Sequence, residues 1–371
     1  MTMTQIRKSR LLNNNRFKLG LFGMNCSCGS IATTAPEQWT ADWDQIISAA
    51  RMADEAGLEF LLPIARWHGY GGSTDRQGTS FETITFATGM LTATRGIATF
   101  ATVHTALIHP VFAAKQLVTA DHAGHGRVGL NVVSGWNAGE FDMFGAQLLP
   151  HEARYAHTEE WMTIAKRVWS ETEPFDHKGE HFDLKGVIVK PKPYGGGRPL
   201  LMSAGSSPTG RRFAVRNADC LFMAIVGVDT LAAEIAEIRS GAPEREVGVF
   251  ASGHVICRAT EKEALEYKHY ITHEHGDWEA AEAALEKRLA SGGQESMTPA
   301  QLMQIKERFI CGGGTFPVIG SYDQCAQIFK TLADAGLTGM AIGLVNYAQD
   351  MPGIRDELLP RMERLGLRVP Q

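Results

Sequence analysis

The run Gly126-Arg127-Val128-Gly129-Leu130-Asn131-Val132-Val133 continues directly into Ser134-Gly135-Trp136-Asn137-Ala138-Gly139-Glu140. The first part reads as an apolar strand, Arg127–Val133, and the second breaks at once into small and polar residues. A short apolar run bounded by turn residues fits a strand buried on both faces. In parallel α/β proteins, chemistry collects where the loops leave the carboxyl ends of the strands. Ser134–Glu140 therefore reads as an active-site rim, the plain alternative being a capped turn.

Working outward, the same alternation repeats. Upstream lie strands at Phe17–Gly23, Glu59–Pro63 and Gly96–Thr102, separated by helices at Ala41–Ala56 (closed by Gly57), Phe81–Thr94 and Pro110–Ala123. Downstream, the helix Glu152–Trp169 leads to strands at Leu200–Ala204, Ala218–Ile225, Val247–Cys257 and Gly339–Leu344. Helices at Pro208–Asn217, Leu231–Ser240, Lys262–His273 and Tyr322–Ala335 intervene, with a further charged helical stretch at Trp278–Ala290 and a glycine-rich segment at Cys311–Gly320. Strict βα order implies parallel pairing with right-handed crossovers. Eight such units predict an α/β fold, a TIM (β/α)8 barrel with insertions. No G-x-G-x-x-G turn follows the first strand, which argues against an open dinucleotide-binding sheet. The expected organisation is an N-terminal arm, residues 1–16, and one barrel domain, residues 17–371. Residues 276–318 are expected to form an insertion near the barrel mouth, a candidate lid.

The 371 residues, 44% hydrophobic and 21% charged, describe an ordinary globular protein long enough to bury a large core. A net charge of −5 argues against a nucleic-acid partner. The basic residues Arg7, Lys8, Arg10 and Arg16 lack the apolar run of a signal peptide and suggest an arm that is disordered or embraces a partner. No window approaches a membrane span, so a cytoplasmic protein with reduced thiols is expected. Six scattered cysteines do not make a disulfide framework, and the Cys26–Cys28 pair has no partners for a zinc site.

Four strand ends carry the polar residues. Arg66, Trp67, His68 and Tyr70 follow the second strand, His104 the third and Asn131 to Glu140 the fourth. After the fifth, Ser207 can cap a helix with Pro208 at its first position, and Arg211 and Arg212 lie nearby. That combination reads either as an anion site or as an ordinary capped helix. Arg154 and Tyr155, at the start of the long helix, could serve the same anion. His68, His104, His109, His122 and His125 show no metal-binding spacing, so no metal is expected. No nucleophile elbow or activated cysteine is evident, which points to a cofactor that brings its own reactivity.

The segments Phe60–Gly72, Thr99–Asp121, Gly126–Gly145, Arg154-Tyr155 and Ala204–Asp219 resemble the bacterial-luciferase-like, flavin-dependent monooxygenases. Within them the resemblance is to the pyrimidine (uracil) monooxygenase and dimethyl sulfone monooxygenase branch. It runs from about residue 17 to 365, is strong through residue 225, and resumes at Ile319-Gly320-Ser321. It implies a barrel that uses FMN, reduced by a separate NAD(P)H:flavin reductase, and dioxygen to insert one oxygen atom into a small polar substrate. C–N or C–S bond cleavage would follow, with a heterocyclic amide the favoured substrate. It further implies Ala65, Arg66, Asn131, Glu140, Arg154, Tyr155 and Ser207 as cofactor contacts. Leu62, Thr102, Asn131 and Trp136 would form a catalytic oxygen pocket, with Thr102 and Asn131 donating hydrogen bonds to oxygen and Leu62 and Trp136 walling off solvent. Trp67, His68, Tyr70 and His104 are the substrate candidates. Arg66 stands where the pyrimidine enzymes carry lysine, and Trp67 and His104 also differ, so uracil is not carried over. A homo-oligomer, dimer or tetramer, is implied. The alternatives are a deazaflavin-dependent oxidoreductase and a non-catalytic flavin-binding protein.

Overall fold

The computed structural model describes residues 9–205, 207–242, 244–290 and 298–370. Eight parallel strands close into a ring: β1 Lys18–Phe22, β2 Phe60–Leu62, β3 Ala98–His104, β4 Val128–Val133, β5 Leu200–Ala204, β6 Cys220–Met223, β7 Gly248–Arg258 and β8 Gly339–Gly343. Each strand pairs with the next, and β8 returns to β1 with Met340 beside Leu19. This is the TIM barrel expected from the alternation. Among the described residues no helix is long and apolar enough to cross a membrane.

The second half of β7, Gly253–Arg258, pairs in parallel with a ninth strand, Phe316–Ser321. Much of the glycine-rich Cys311–Gly320 segment is therefore strand. The helices Trp278–Ala290 and Pro299–Gly312 precede it, the second opened by a Thr298/Gln301 capping box and closed by Gly313 in the left-handed region. A two-stranded hairpin, Phe175–Lys178 with Asp183–Val187, was also not legible in the sequence. Its residues are mostly polar and half-exposed, so no apolar period marks it.

Side chains in a strand alternate between faces. Outward-facing residues such as Leu19, Leu61, Leu130 and Leu221 pack beneath the helices, while Phe60, Phe100, Leu200, Met202 and Phe250 fill the interior. Phe60 meets Phe100 and Phe250 edge-to-face at 6.1 and 5.6 Å between ring centroids. Glycines stand against these rings: a Cβ at Gly20, Gly129 or Gly339 would overlap Phe60, Phe100 or Phe250. Large rings facing bare backbone fill the taper of a small barrel. They form a floor, and the inward residues one step further along each strand face the space above it.

The amino-terminal end of the barrel is sealed by residues 9–16, which corrects the expectation of a free or partner-embracing arm for that part of the chain. Leu11 joins the interior cluster. Arg10 pairs with Asp54 at 2.8 Å, and Asp54 also accepts the amides of Arg95, Gly96 and Ile97. Asn13, Asn15, the Leu19 amide and Arg368 all donate to the buried Glu59. Arg7 and Lys8 lie outside the described residues.

Two stability predictions follow from this packing. Gly129→Ala forces the Phe100 ring to move and should destabilise the fold by about 1–3 kcal/mol in urea unfolding. An unchanged midpoint would show that the floor is loosely packed. The second concerns His254 on β7. Thr315 gives its hydroxyl hydrogen to the Gly312 carbonyl, so His254 Nδ1–H must donate to Thr315 Oγ1, at 3.0 Å. Burial, with Arg308 and Lys268 adding to it, holds this imidazole down at about 3. Between that value and the unfolded value of about 6.5 the unfolded chain binds the extra proton, so stability falls as pH drops below about 6.5. The wild type should lose about 1.4 kcal/mol per pH unit more than His254→Asn between pH 6 and 4.5, read from urea midpoints.

Candidate active site

A cavity of about 520 Å³ opens at the carboxyl ends of the strands. Its inner wall is the layer above the phenylalanine floor: Leu62, Thr102, Asn131, Ala204, Phe222 and Ser252. Ala65, Arg66 and Trp136 line one side, and His151, Arg154, Tyr155 and Ser207 close the polar end. Of the rim read as Ser134–Glu140, Ser134, Gly135 and Trp136 line this cavity.

β3 and β4 place Thr102 beside Asn131 in register. Asn131 Nδ2 donates to Thr102 Oγ1 at 3.1 Å, and Thr102 Oγ1 donates to the Pro63 carbonyl at 2.6 Å. A hydroxyl carries one hydrogen, so Thr102 has none left for oxygen. The expected pair of donors is corrected to one, the second N–H of Asn131. Because Thr102 can only accept from Asn131, the amide orientation is fixed, and Asn131 Oδ1 is left buried without a partner. Leu62 is buried in the cavity wall. Trp136 is 59% exposed and stands at the rim, so it does not by itself exclude solvent.

Arg66 is held by an ion pair with Glu140 at 3.1 Å, both side chains buried. Glu140 also accepts the Trp67 amide, while Arg66 donates from Nε to Gln77 Oε1 at 3.2 Å and from Nη2 to the Tyr70 hydroxyl at 3.4 Å. Glu140 sits on a short helix, Ala138–Met143, within what reads in sequence as loop. It is not among the residues that line the cavity, and its carboxylate holds Arg66 and the Trp67 amide.

The polar end joins two helices. Ser207 caps Pro208–Asn217 by accepting the Gly210 amide at 3.1 Å, and lies 3.2 Å from His151 Nε2. Arg154, on His151–Ser170, donates to the Gly135 carbonyl, and its Nε is buried without a partner. Gly205 and Gly210 face each other so closely that a Cβ on either would strike the other's backbone, and one on Gly210 would strike the Tyr155 hydroxyl. Arg211 and Arg212, expected near an anion, turn elsewhere: Arg211 pairs with Glu234 and Arg212 donates to Thr209. His151 was not singled out from the sequence; its spacing from Tyr155, one helical turn, was the available signal.

The four substrate candidates separate. His104 lines the large cavity and also a smaller adjoining one of about 150 Å³, which Trp67 lines as well. His68 is exposed, and Tyr70 packs on Phe309 behind Arg66, so neither lines either cavity. Burial lowers the pKa of His104, Glu140 opposing and Arg66 reinforcing the shift. Among the described residues no group of three or more His, Cys, Asp or Glu side chains is placed to hold a metal ion.

Comparison with known proteins matches residues 18–339 to the luciferase-like monooxygenase family model. An FMNH2-dependent dimethylsulfone monooxygenase of Pseudomonas fluorescens is 29% identical over 350 residues, covering 91% of this chain and 92% of the relative. A pyrimidine monooxygenase of Bradyrhizobium is 26% identical over 368 residues, covering 95% and 98%. The fold also matches the crystal structure of DmoA from Hyphomicrobium sulfonivorans, with a TM-score of 0.85 at 18% identity over 95% of this chain and 89% of that one. With its barrel closed and its family model matched over most of its length, the chain belongs to the luciferase-like monooxygenases.

Proposed function

We propose that this chain is the oxygenase half of a two-component system. It takes reduced FMN from a separate NAD(P)H:flavin reductase and, with dioxygen, inserts one oxygen atom into a small organic substrate, leading to C–N or C–S cleavage. One observation carries the reading: a single cavity joins an apolar end beside Thr102 and Asn131 to a cationic end at a helix N-terminus. Its volume suits a cofactor-sized ligand.

The residues fit FMN on their own chemistry. Leu62, Ile64 and Phe222 offer apolar surface to a flat ring system. Ser207, Tyr155 and Arg154 surround the start of Pro208–Asn217, where the helix dipole and free amides favour a phosphate. The buried Arg154 Nε and Asn131 Oδ1, both without partners inside the protein, are the atoms a bound ligand would satisfy. Reduced FMN, when bound, supplies the electrons that activate dioxygen.

The protein's own part is positioning. Thr102, anchored to Pro63, orients Asn131 so that one amide hydrogen stays available for developing negative charge on oxygen. Arg66, neutralised by Glu140, holds the near side of the cavity without bringing in net charge.

Anaerobic titration with reduced FMN should show saturable binding, and reductase, NADH and FMN together should sustain dioxygen-dependent substrate oxidation. Absence of both would overturn the reading. Gly210→Ala, by displacing Tyr155, should weaken reduced-FMN binding about tenfold or more. Thr102→Val should lower kcat by about 10²–10³-fold, the range seen for losing one oriented donor, with Thr102→Ser retaining most of the activity.

A further inference from the structure

The smaller cavity, about 150 Å³, adjoins the larger one and shares Ala65, Arg66, Thr102 and His104 with it. We propose that this chamber receives the substrate and selects an uncharged molecule with a compact apolar body and a hydrogen-bond-accepting head. The inference rests on the flavin occupying the larger cavity.

Size sets the first limit. A protein cavity of this volume holds about one benzene ring. Trp67, Phe81, Leu107 and Ile108 give it apolar walls.

Hydrogen bonding sets the second. Most polar side chains on these walls are already committed. Ser80 Oγ donates to the Arg66 carbonyl, Thr83 Oγ1 to the Thr102 carbonyl and Thr102 Oγ1 to the Pro63 carbonyl. Glu82 spends both carboxylate oxygens on the Ile84 and Thr85 amides. The exceptions are His104, whose Nδ1 is buried without a partner, the indole N–H of Trp67, and the two N–H bonds of Arg66 beyond those given to Glu140, Gln77 and Tyr70. His104 and Arg66 lie on the wall shared with the larger cavity. The spare N–H bonds of Arg66 make that wall a donor surface, which an accepting head matches. A ring with polar atoms all round its edge would bury several without partners, which is costly.

Charge sets the third. The Arg66 guanidinium is balanced by Glu140, and burial favours the neutral form of His104. An anionic substrate would find no uncompensated cation in the chamber wall, and burying its charge would go unrewarded.

The test uses three probes on the full-length protein: cyclopentanone (neutral, one accepting head), cyclopentanecarboxylate (the same ring with a charge) and uracil (neutral, polar on every edge). Calorimetric titration should give cyclopentanone a Kd lower than either other probe by about tenfold or more. His104→Phe should erase that preference and His104→Gln should keep it. Should a variant fail to fold, the wild-type ranking decides alone. Uracil or the carboxylate binding as tightly as cyclopentanone, or none of the three binding, would overturn the inference. Parallel titration with reduced FMN separates the two readings: the probe ranking can fail while FMN still binds, whereas loss of FMN binding removes the functional reading on which the chamber's role rests.

Discussion

The site depends on the phenylalanine floor. Phe60, Phe100 and Phe250 meet edge-to-face across the barrel, and glycines on the facing strands leave room for them. Because strand side chains repeat every second residue, filling this layer forces the next inward layer to face open space. That layer holds Leu62, Thr102, Asn131, Ala204, Phe222 and Ser252. A cavity at the carboxyl end is thus a consequence of where the large residues run out.

Within that layer, buried polar groups restrict one another. Pro63 takes the hydrogen of Thr102, Thr102 then dictates the orientation of Asn131, and Asn131 is left with one spare donor and one unpartnered acceptor. The same economy governs Arg66, whose charge is neutralised by Glu140 before any ligand arrives. Such networks are costly if half satisfied. Three buried atoms without partners inside the protein, on Asn131, Arg154 and His104, belong to residues that line the two cavities.

Much of the fold was legible because its signals are local. The helices Pro110–Ala123, Pro208–Asn217 and Trp278–Ala290 and the strand Leu200–Ala204 begin and end where the sequence places them, three helices bounded by caps, prolines or apolar period and one strand by its apolar run. The hairpin at 175–187 and the strand Phe316–Ser321 were not legible. The first packs Phe175, Leu184 and Val187 on the core but breaks their alternation with a register shift after Phe175, and the second lies in a glycine-rich stretch whose strand character comes from pairing with β7. Residues 9–16 were misread for a related reason: their basic side chains suggest a solvated arm, while Leu11, Asn13 and Asn15 find partners far along the chain.

The sequence by itself determined the eightfold alternation, the strand ends that carry polar residues and the family likeness, since each is written in short-range pattern. Only the tertiary structure decided what those residues do. Arg66 and Glu140 are 74 positions apart, and Thr102 and Asn131 are 29 apart. Whether such side chains meet, and which one gives up its hydrogen, depends on strand register and on what else is buried nearby. The same holds for Glu140 and Tyr70 standing behind the cavity and for His104 facing two chambers at once. Propensity and spacing specify elements, whereas proton allocation and charge balance exist only after distant atoms have been brought within hydrogen-bonding reach.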